Sequence, residues 1–317
     1  MGMLVEGKWR DPWEEPDSAD GRYRRPAARF RGRVIDDPAA DHPAKPGRYC
    51  LYVSLACPWS HRVLLARKLL GLEDVIGVSI VDPELGADGW SFSSRPGCIP
   101  DRYLHATYLH QLYTTADPRY TGRATVPLLW DIRGRTIVSN ESADIVRMLG
   151  DAFARLSTRR MDLYPEALRE EIDELNGFVH ENVNEAVYRA GLALTQEVYD
   201  EAVSSLFSSL DELEGRLHRR PYLCGDRPTE ADWRLFATAV RFDVVYYGLF
   251  KCNIRHWWDY RRLWAHLRDL YKVPGVAETV RLDHVKDHYY RRYPALHASG
   301  IVPAGPEIDF SGDGARG

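Results

Sequence analysis

A run of strand formers, Arg48-Tyr49-Cys50-Leu51-Tyr52-Val53-Ser54-Leu55, reaches Pro58 after only Ala56 and Cys57. The fixed φ of Pro58 suits the first turn of a helix, where its missing N–H is not needed. From Trp59 onward Val63, Leu64, Leu65, Leu69 and Leu70 cluster at roughly helical spacing, and Gly71 ends the run. The chain is therefore committed to a strand, a tight turn and a helix, and Cys57 occupies the turn. A thiol at the positive end of a helix has a lowered pKa and becomes a nucleophile near neutral pH. The plainer alternative for Cys57 is a buried, inert cysteine, and mid-strand Cys50 fits that description well.

The same alternation continues. Val75–Val81 reads as a second strand. A long polar segment, about 82–124, comes next; it is too long for an ordinary connection and must be functional or carry structure of its own. Val126–Trp130 and Thr136–Val138 read as strands joined through a turn at Gly134, and a helix with Ser142, Ile145, Val146 and Leu149 closes the region. From Pro165 the pattern becomes helical. Ile172, Leu175 and Val179 share one face, Val198, Ala202, Leu206, Leu210, Leu213 and Leu217 another. Thr229 and Asp232 form an N-cap arrangement before a buried helix, Leu235–Tyr247, and a further helix spans about 256–272. The expected organisation is an irregular N-terminal arm over 1–46, an α/β domain over 47–150, an all-helical domain over 165–282, and a tail over 283–317 with a loose Gly/Pro-rich end.

Totals exclude several classes of function. Lys and Arg number 42 against 46 Asp and Glu, a net charge of −4, which gives no attraction for polyanions; a nucleic-acid partner is not expected. The arginines between Arg22 and Arg33 are diluted by acidic neighbours and read as a solvated or docking segment. No run of about 18 apolar residues exists, so no membrane span is expected. The N-terminus, with Trp9 and Trp13 among charges, has no signal-peptide core. The cysteines, at 50, 57, 98, 224 and 252, are odd in number and form no C-x-x-C pair, which argues against a disulfide scaffold and a zinc site. A reducing cytoplasm is the expected compartment.

Three constellations carry chemistry. Cys57 has serine, not cysteine, three residues on at Ser60, which suits a monothiol mechanism: a mixed disulfide with a small thiol, released by a second thiol. Thr125-Val126-Pro127 opens a strand. Its proline is a candidate for a cis bond, with the Val126 backbone presented to the main chain of a peptide-like thiol. Asn140-Glu141-Ser142 opens a helix, whose free N–H groups suit a carboxylate while Glu141 meets an ammonium and Ser142 the carboxylate. Simple capping is the alternative for this last motif.

These motifs, in this order and joined to a helical half, resemble the glutathione transferases, and more specifically the glutathionyl-hydroquinone reductases, the xi class of that superfamily. The resemblance runs from about Trp9 to Pro294. It rests on Cys57-Pro58-Trp59-Ser60-His61-Arg62, Asp88-Gly89-Trp90-Ser91-Phe92, Thr125-Val126-Pro127, Asn140-Glu141-Ser142-Ala143-Asp144-Ile145, Asn184-Glu185-Ala186-Val187-Tyr188-Arg189-Ala190-Gly191, Arg241-Phe242-Asp243-Val244-Val245-Tyr246 and His288-Tyr289-Tyr290. Ser60 is a departure, since the family commonly has alanine there. The resemblance implies an α/β thioredoxin-like domain followed by an all-α domain. It implies Cys57 as nucleophile, with Trp90 packed on glutathione, Val126 paired with its cysteinyl backbone, and Glu141 and Ser142 on its γ-glutamyl end. Tyr188, Tyr246 and Tyr289 would serve the hydroquinone oxygens. Arg123 contributes positive charge near the thiolate or is a surface arginine; for Tyr188 and Tyr246 the alternative is core packing.

The implied reaction takes glutathione from the ring of a glutathionyl-hydroquinone onto Cys57, and a second glutathione releases it. Glutathione is then a cosubstrate, with no bound cofactor and no metal, and the resemblance implies a homodimer. One rival is an ordinary glutathione transferase that activates glutathione through Ser60 or Tyr52 and conjugates it to an electrophile; another is an omega-like glutathione transferase or thioltransferase acting with glutathione or another low-molecular-weight thiol on other substrates. A third rival is a thioredoxin-like domain used only for binding.

Overall fold

The computed structural model describes residues 2–11 and 20–312; Trp13 and the end of the expected loose tail, 313–317, lie outside the described residues. The chain divides into two compact units. One comprises Ala27–Met161 with the described part of Met1–Glu15, the other the described parts of Asp162–Gly317 and of Pro16–Pro26.

In the first unit, β1 (Met3–Val5) and β2 (Lys8–Arg10) form an antiparallel hairpin. The arm was expected to be irregular; instead its start is a strand pair, and its residues divide between the two units. The turn is built by Glu6 and Gly7, both at positive φ (48° and 75°). Strands of three residues are too short to show a period in sequence, yet Leu4 is fully buried and its backbone pairs with Gly122.

The main sheet is β3 (Tyr49–Val53), β4 (Gly77–Ile80), β7 (Leu128–Asp131) and β8 (Thr136–Ser139), in the spatial order β4-β3-β7-β8. Only β3–β4 is parallel, because only that pair is joined through a helix, α1 (Pro58–Leu69); β7 and β8 are a hairpin. Along β3 alternate residues go to opposite faces. Cys50 and Tyr52 join Leu128, Trp130 and Ile137 beneath Leu112 and Tyr113, while Tyr49 turns the other way and meets Phe153 edge-on. Helices α1 and α3 (Ser142–Asp151) pack against each other. The long segment between β4 and β7 carries a second small hairpin, β5 (Leu85–Gly86) with β6 (Gly89–Trp90), and then α2 (His110–Ala116), which supplies Leu112 and Tyr113.

The second unit is helical: α4 (Arg169–Val179), α5 (Ala186–Gly191), α6 (Gln196–Arg219), α7 (Glu230–Arg241), α8 (Arg261–Tyr271) and α9 (Leu282–Arg292). Helix α7 is buried on every side. It begins at the expected Thr229 cap, with the Asp232 carboxylate accepting the Thr229 N–H at 2.8 Å. Two π-helical turns interrupt the regular winding, His180–Asn184 between α4 and α5, and Phe242–Tyr246 after α7. The region expected as a tail contains α9. Its buried residues, His284, Val285, His288 and Tyr289, are mostly polar or aromatic, so no apolar stripe announced it.

Candidate active site

Cys57 is the N-cap of α1, with φ −77° and ψ 124°, and Pro58 takes the first helical position. The turn is held from inside: the Cys57 N–H donates to the Ser54 carbonyl at 3.2 Å, and the His61 N–H to the Cys57 carbonyl at 3.0 Å. The thiol caps nothing in its own helix. It is half-buried and donates to the Val126 carbonyl at 3.7 Å. The other cysteines differ. Cys50, Cys224 and Cys252 are fully buried, and burial pushes the Cys50 thiol up to about 12, the Cys224 thiol to about 11, and that of Cys252 upward as well. Cys98 is half-buried and donates to the Val81 carbonyl at 3.7 Å.

The Val126–Pro127 bond is cis. Among the described residues the Val126 N–H meets no acceptor, so the main chain beside the thiol keeps a free donor. The second piece of the expected glutathione site is the start of α3. Glu141 is the N-cap, its carboxylate accepts the Ala143 N–H at 3.1 Å, and the Ser142 hydroxyl lies 3.5 Å from the same oxygen. Glu141 is half-buried, whereas Ser142 is 4 % exposed. Trp90 ends β6, half-buried against the core, with its carbonyl accepting the Leu109 N–H at 2.8 Å. Arg123 is half-buried, and its carbonyl accepts the Tyr120 hydroxyl at 3.2 Å.

In the second unit the three expected tyrosines meet one another. Tyr289 is the hub, its hydroxyl 2.5 Å from that of Tyr188 and 3.0 Å from that of Tyr246. The rings pack edge-on, with centroids 5.9 Å apart for Tyr188–Tyr246 and 5.6 Å for Tyr246–Tyr289. The π-turns account for this placement. Each inserts an extra residue into its helix and so re-aims the side chains at and beyond it: Tyr246 ends one such turn, and Tyr188 comes just after the other. Phe250 backs the cluster, and it can do so only because residue 191 is glycine; a Cβ there would sit 2.2 Å from the Phe250 ring. Burial pushes the Tyr188 and Tyr289 phenols well above the ordinary tyrosine value, and the neighbouring tyrosines add to it.

Sequence reasoning missed three contributors. Arg25 lies over the Tyr188 ring at 5.0 Å and donates to Glu185 at 2.7 Å. Tyr113 and Asn140 bond around Thr125. Asn140 stood in a quoted motif but only as a helix opener. Nothing in sequence marked Tyr113 or Arg25, because their partners are 12 and 160 residues away.

No described helix is long and apolar enough to cross a membrane, and among the described residues no group of His, Cys, Asp and Glu side chains could hold a metal ion. The glutathione S-transferase N-terminal domain model matches residues 56–152 and the C-terminal domain model residues 196–269. The chain is 48% identical over 317 residues to the glutathionyl-hydroquinone reductase YqjG of Escherichia coli (strain K12), covering 98% of this chain and 97% of that protein. It superimposes on the glutathione-bound structure of the same protein with a TM-score of 0.90, at 45% identity and 99% coverage of both chains. It also superimposes on a xi-class glutathione transferase of Natrialba magadii with a TM-score of 0.93, at 45% identity and covering 100% of this chain and 96% of that one. A half-exposed N-cap thiol beside a free strand-like backbone, two domain models in the expected order and relatives matched end to end make this chain a member of the glutathione transferase family, within its xi class of glutathionyl-hydroquinone reductases.

Proposed function

We propose that this chain reduces glutathionyl-hydroquinones to hydroquinones, with Cys57 as nucleophile and glutathione as cosubstrate. The observation that carries this reading is the Cys57 thiol at the start of α1, 3.7 Å from the carbonyl of Val126, whose N–H meets no acceptor among the described residues. That pairing suits the cysteinyl backbone of glutathione. The start of α3 suits its γ-glutamyl end, with Glu141 on the ammonium and Ser142 on the carboxylate. Trp90 supplies an aromatic wall and Arg123 positive charge. In the first step the Cys57 thiolate attacks the glutathione sulfur. The sulfur–ring carbon bond breaks, the carbon keeps the electron pair and takes a proton, and hydroquinone leaves with a Cys57–glutathione disulfide formed. In the second step another glutathione thiolate attacks that disulfide, giving oxidised glutathione and the Cys57 thiolate. Tyr188, Tyr246 and Tyr289 serve as the proton source: phenols joined by two hydrogen bonds can pass a proton along, and raised pKa values keep Tyr188 and Tyr289 in the donor form.

The conjugating rival would use Ser60 or Tyr52, and both are otherwise engaged. Ser60 is fully buried and its hydroxyl accepts the Ser54 N–H at 3.2 Å. Tyr52 is fully buried, donates to Asp101 at 2.5 Å, and has its phenol pushed upward by burial and by that carboxylate. Mass spectrometry after incubation with a glutathionyl-hydroquinone tests the reading: a glutathione adduct on Cys57 and released hydroquinone are expected, and Cys57→Ser should show neither. Conjugating activity that survives Cys57→Ser would favour the rival. We further propose a cytoplasmic homodimer. The free cysteines suit a reducing compartment, and exposed Ile35, Leu194, Ile254 and Ile301 offer apolar surface. Light scattering at micromolar concentration giving a monomer mass would exclude the dimer.

A further inference from the structure

The two pieces of backbone assigned to glutathione, the Val126 turn and the start of α3, are tied together by side chains that reach neither the thiol nor the helix end. Tyr113 of α2 is fully buried. Its hydroxyl accepts the Thr125 N–H at 3.1 Å and donates to the Thr125 carbonyl at 2.8 Å, spanning both backbone groups of the residue before Val126. Asn140, the residue before Glu141, completes the clamp. Its Nδ2 donates to the Tyr113 hydroxyl at 3.3 Å and to Thr125 Oγ1 at 3.4 Å. Asn140 is itself held by Phe30: its Oδ1 accepts the Phe30 N–H and its own N–H donates to the Phe30 carbonyl, both at 3.1 Å. The Phe30 ring lies edge-on to Tyr113, 5.9 Å away, and stacks on Tyr120 at 5.7 Å.

We propose that Tyr113 and Asn140 are positioning residues for glutathione, holding the Val126 main chain and the Glu141–Ser142 helix start in one fixed spacing. The inference rests on the assignment of those two segments to glutathione. The buried Tyr113 hydroxyl and the half-buried Asn140 amide bond across the turn and add no apolar area, so their effect lies in geometry. A tripeptide that bonds at two separated places loses affinity when the spacing between them is free to vary, because binding must then order it. The thiol end of the site is anchored chiefly through the Ser54 and His61 bonds of α1, and its link to the clamped turn is one long contact, from the Cys57 Sγ to the Val126 carbonyl at 3.7 Å. Loosening the clamp should therefore weaken glutathione binding far more than it changes the reactivity of the Cys57 thiol.

The test uses the whole chain with Cys57→Ser, so that bound glutathione cannot react, and reads glutathione affinity by calorimetry. Tyr113→Phe keeps the ring and deletes the bonds. Asn140→Asp keeps the acceptor for Phe30 and replaces the donor. Each should weaken glutathione by about five- to tenfold, the scale of one or two lost hydrogen bonds, and the double variant should fall short of the product because both act on one turn. With Cys57 restored, KM for the glutathionyl substrate should rise while the rate of Cys57 alkylation by iodoacetamide stays within about twofold of the parent, a split that general loosening of the fold would not produce. Should either variant unfold, Thr125→Val removes one acceptor of the Asn140 amide and gives the same readout. Unchanged affinity in the variants, or alkylation that changes as much as affinity, overturns the clamp and leaves the glutathione reading standing. A Cys57→Ser chain that binds no glutathione at all overturns that reading, and the clamp with it.

Discussion

The guanidinium of Arg25 lies 5.0 Å from the centre of the Tyr188 ring while its Nε donates to Glu185, so a residue of the N-terminal segment forms part of the tyrosine cluster's surroundings. The Arg25 side chain is 37% exposed and that of Glu185 only 10%. Losing the arginine leaves a nearly buried carboxylate without that partner. Arg25→Met, which keeps length and removes charge, should lower unfolding free energy by about 1 kcal/mol, after allowance for solvent screening. Urea titration of the two chains measures this, and coincident midpoints would remove Arg25 from the account.

Within the cluster, Tyr289 makes both phenol–phenol bonds, whereas Tyr188 and Tyr246 make one each. If the cluster donates the proton, Tyr289→Phe should reduce kcat/KM by about 100-fold, the lower end of general acid effects, and Tyr188→Phe and Tyr246→Phe by less. Because the Tyr188 and Tyr289 phenols are raised well above the usual value, they stay protonated past pH 10. No fall in activity below that pH should trace to them. Three variants with unchanged kcat/KM would assign these tyrosines to core packing alone.

Thiol reactivity should sort by position. With their thiols raised to about 12 and about 11, Cys50 and Cys224 carry negligible thiolate at neutral pH, and Cys252 is pushed in the same direction. Brief alkylation of the native chain at pH 7, read by peptide mass spectrometry, should modify Cys57 and leave Cys50, Cys224 and Cys252 untouched until denaturant is added. Labelling of those three in the native chain would contradict their burial.

Asp131 should set part of the acid stability. It is fully buried at the end of β7 and accepts from Arg48, from His42 and from the N–H groups of Arg133 and Gly134. Burial alone would raise its carboxyl; the Arg48 bonds, the Gly134 amide and His42 outweigh it and hold the group down to about 2. A depressed folded-state pKa contributes stability above the unfolded value of 3.8, and that stability is lost as pH falls towards 2. The contribution is about 2 kcal/mol. Asp131→Asn should cost a similar amount at pH 7 and flatten the stability profile between pH 4 and pH 2; parallel profiles for the two chains would locate the acid sensitivity elsewhere.

Local pattern carried much of this protein. The strand formers before Pro58, the helical spacing after it, and the Thr229–Asp232 cap are properties of neighbours a few residues apart, and each element formed where those neighbours placed it. The proposed nucleophile was legible for the same reason, since a thiol before a helix-starting proline is a local fact. Motif resemblance supplied the tyrosines as names, but their meeting at one hub depends on π-turns and on α9, a helix whose buried face is histidine and tyrosine instead of leucine. The hairpin at Glu6-Gly7, the Arg25–Glu185 pair and the Tyr113–Asn140 clamp were invisible, because each is a contact between segments far apart in the chain or too short to show a period. Sequence by itself determined most of the longer elements and which thiol stands at a helix start, since helix ends, turns and periodicity are local energies. Only the tertiary structure decided which polar groups are satisfied by one another, because that depends on which distant segments the buried apolar faces bring together.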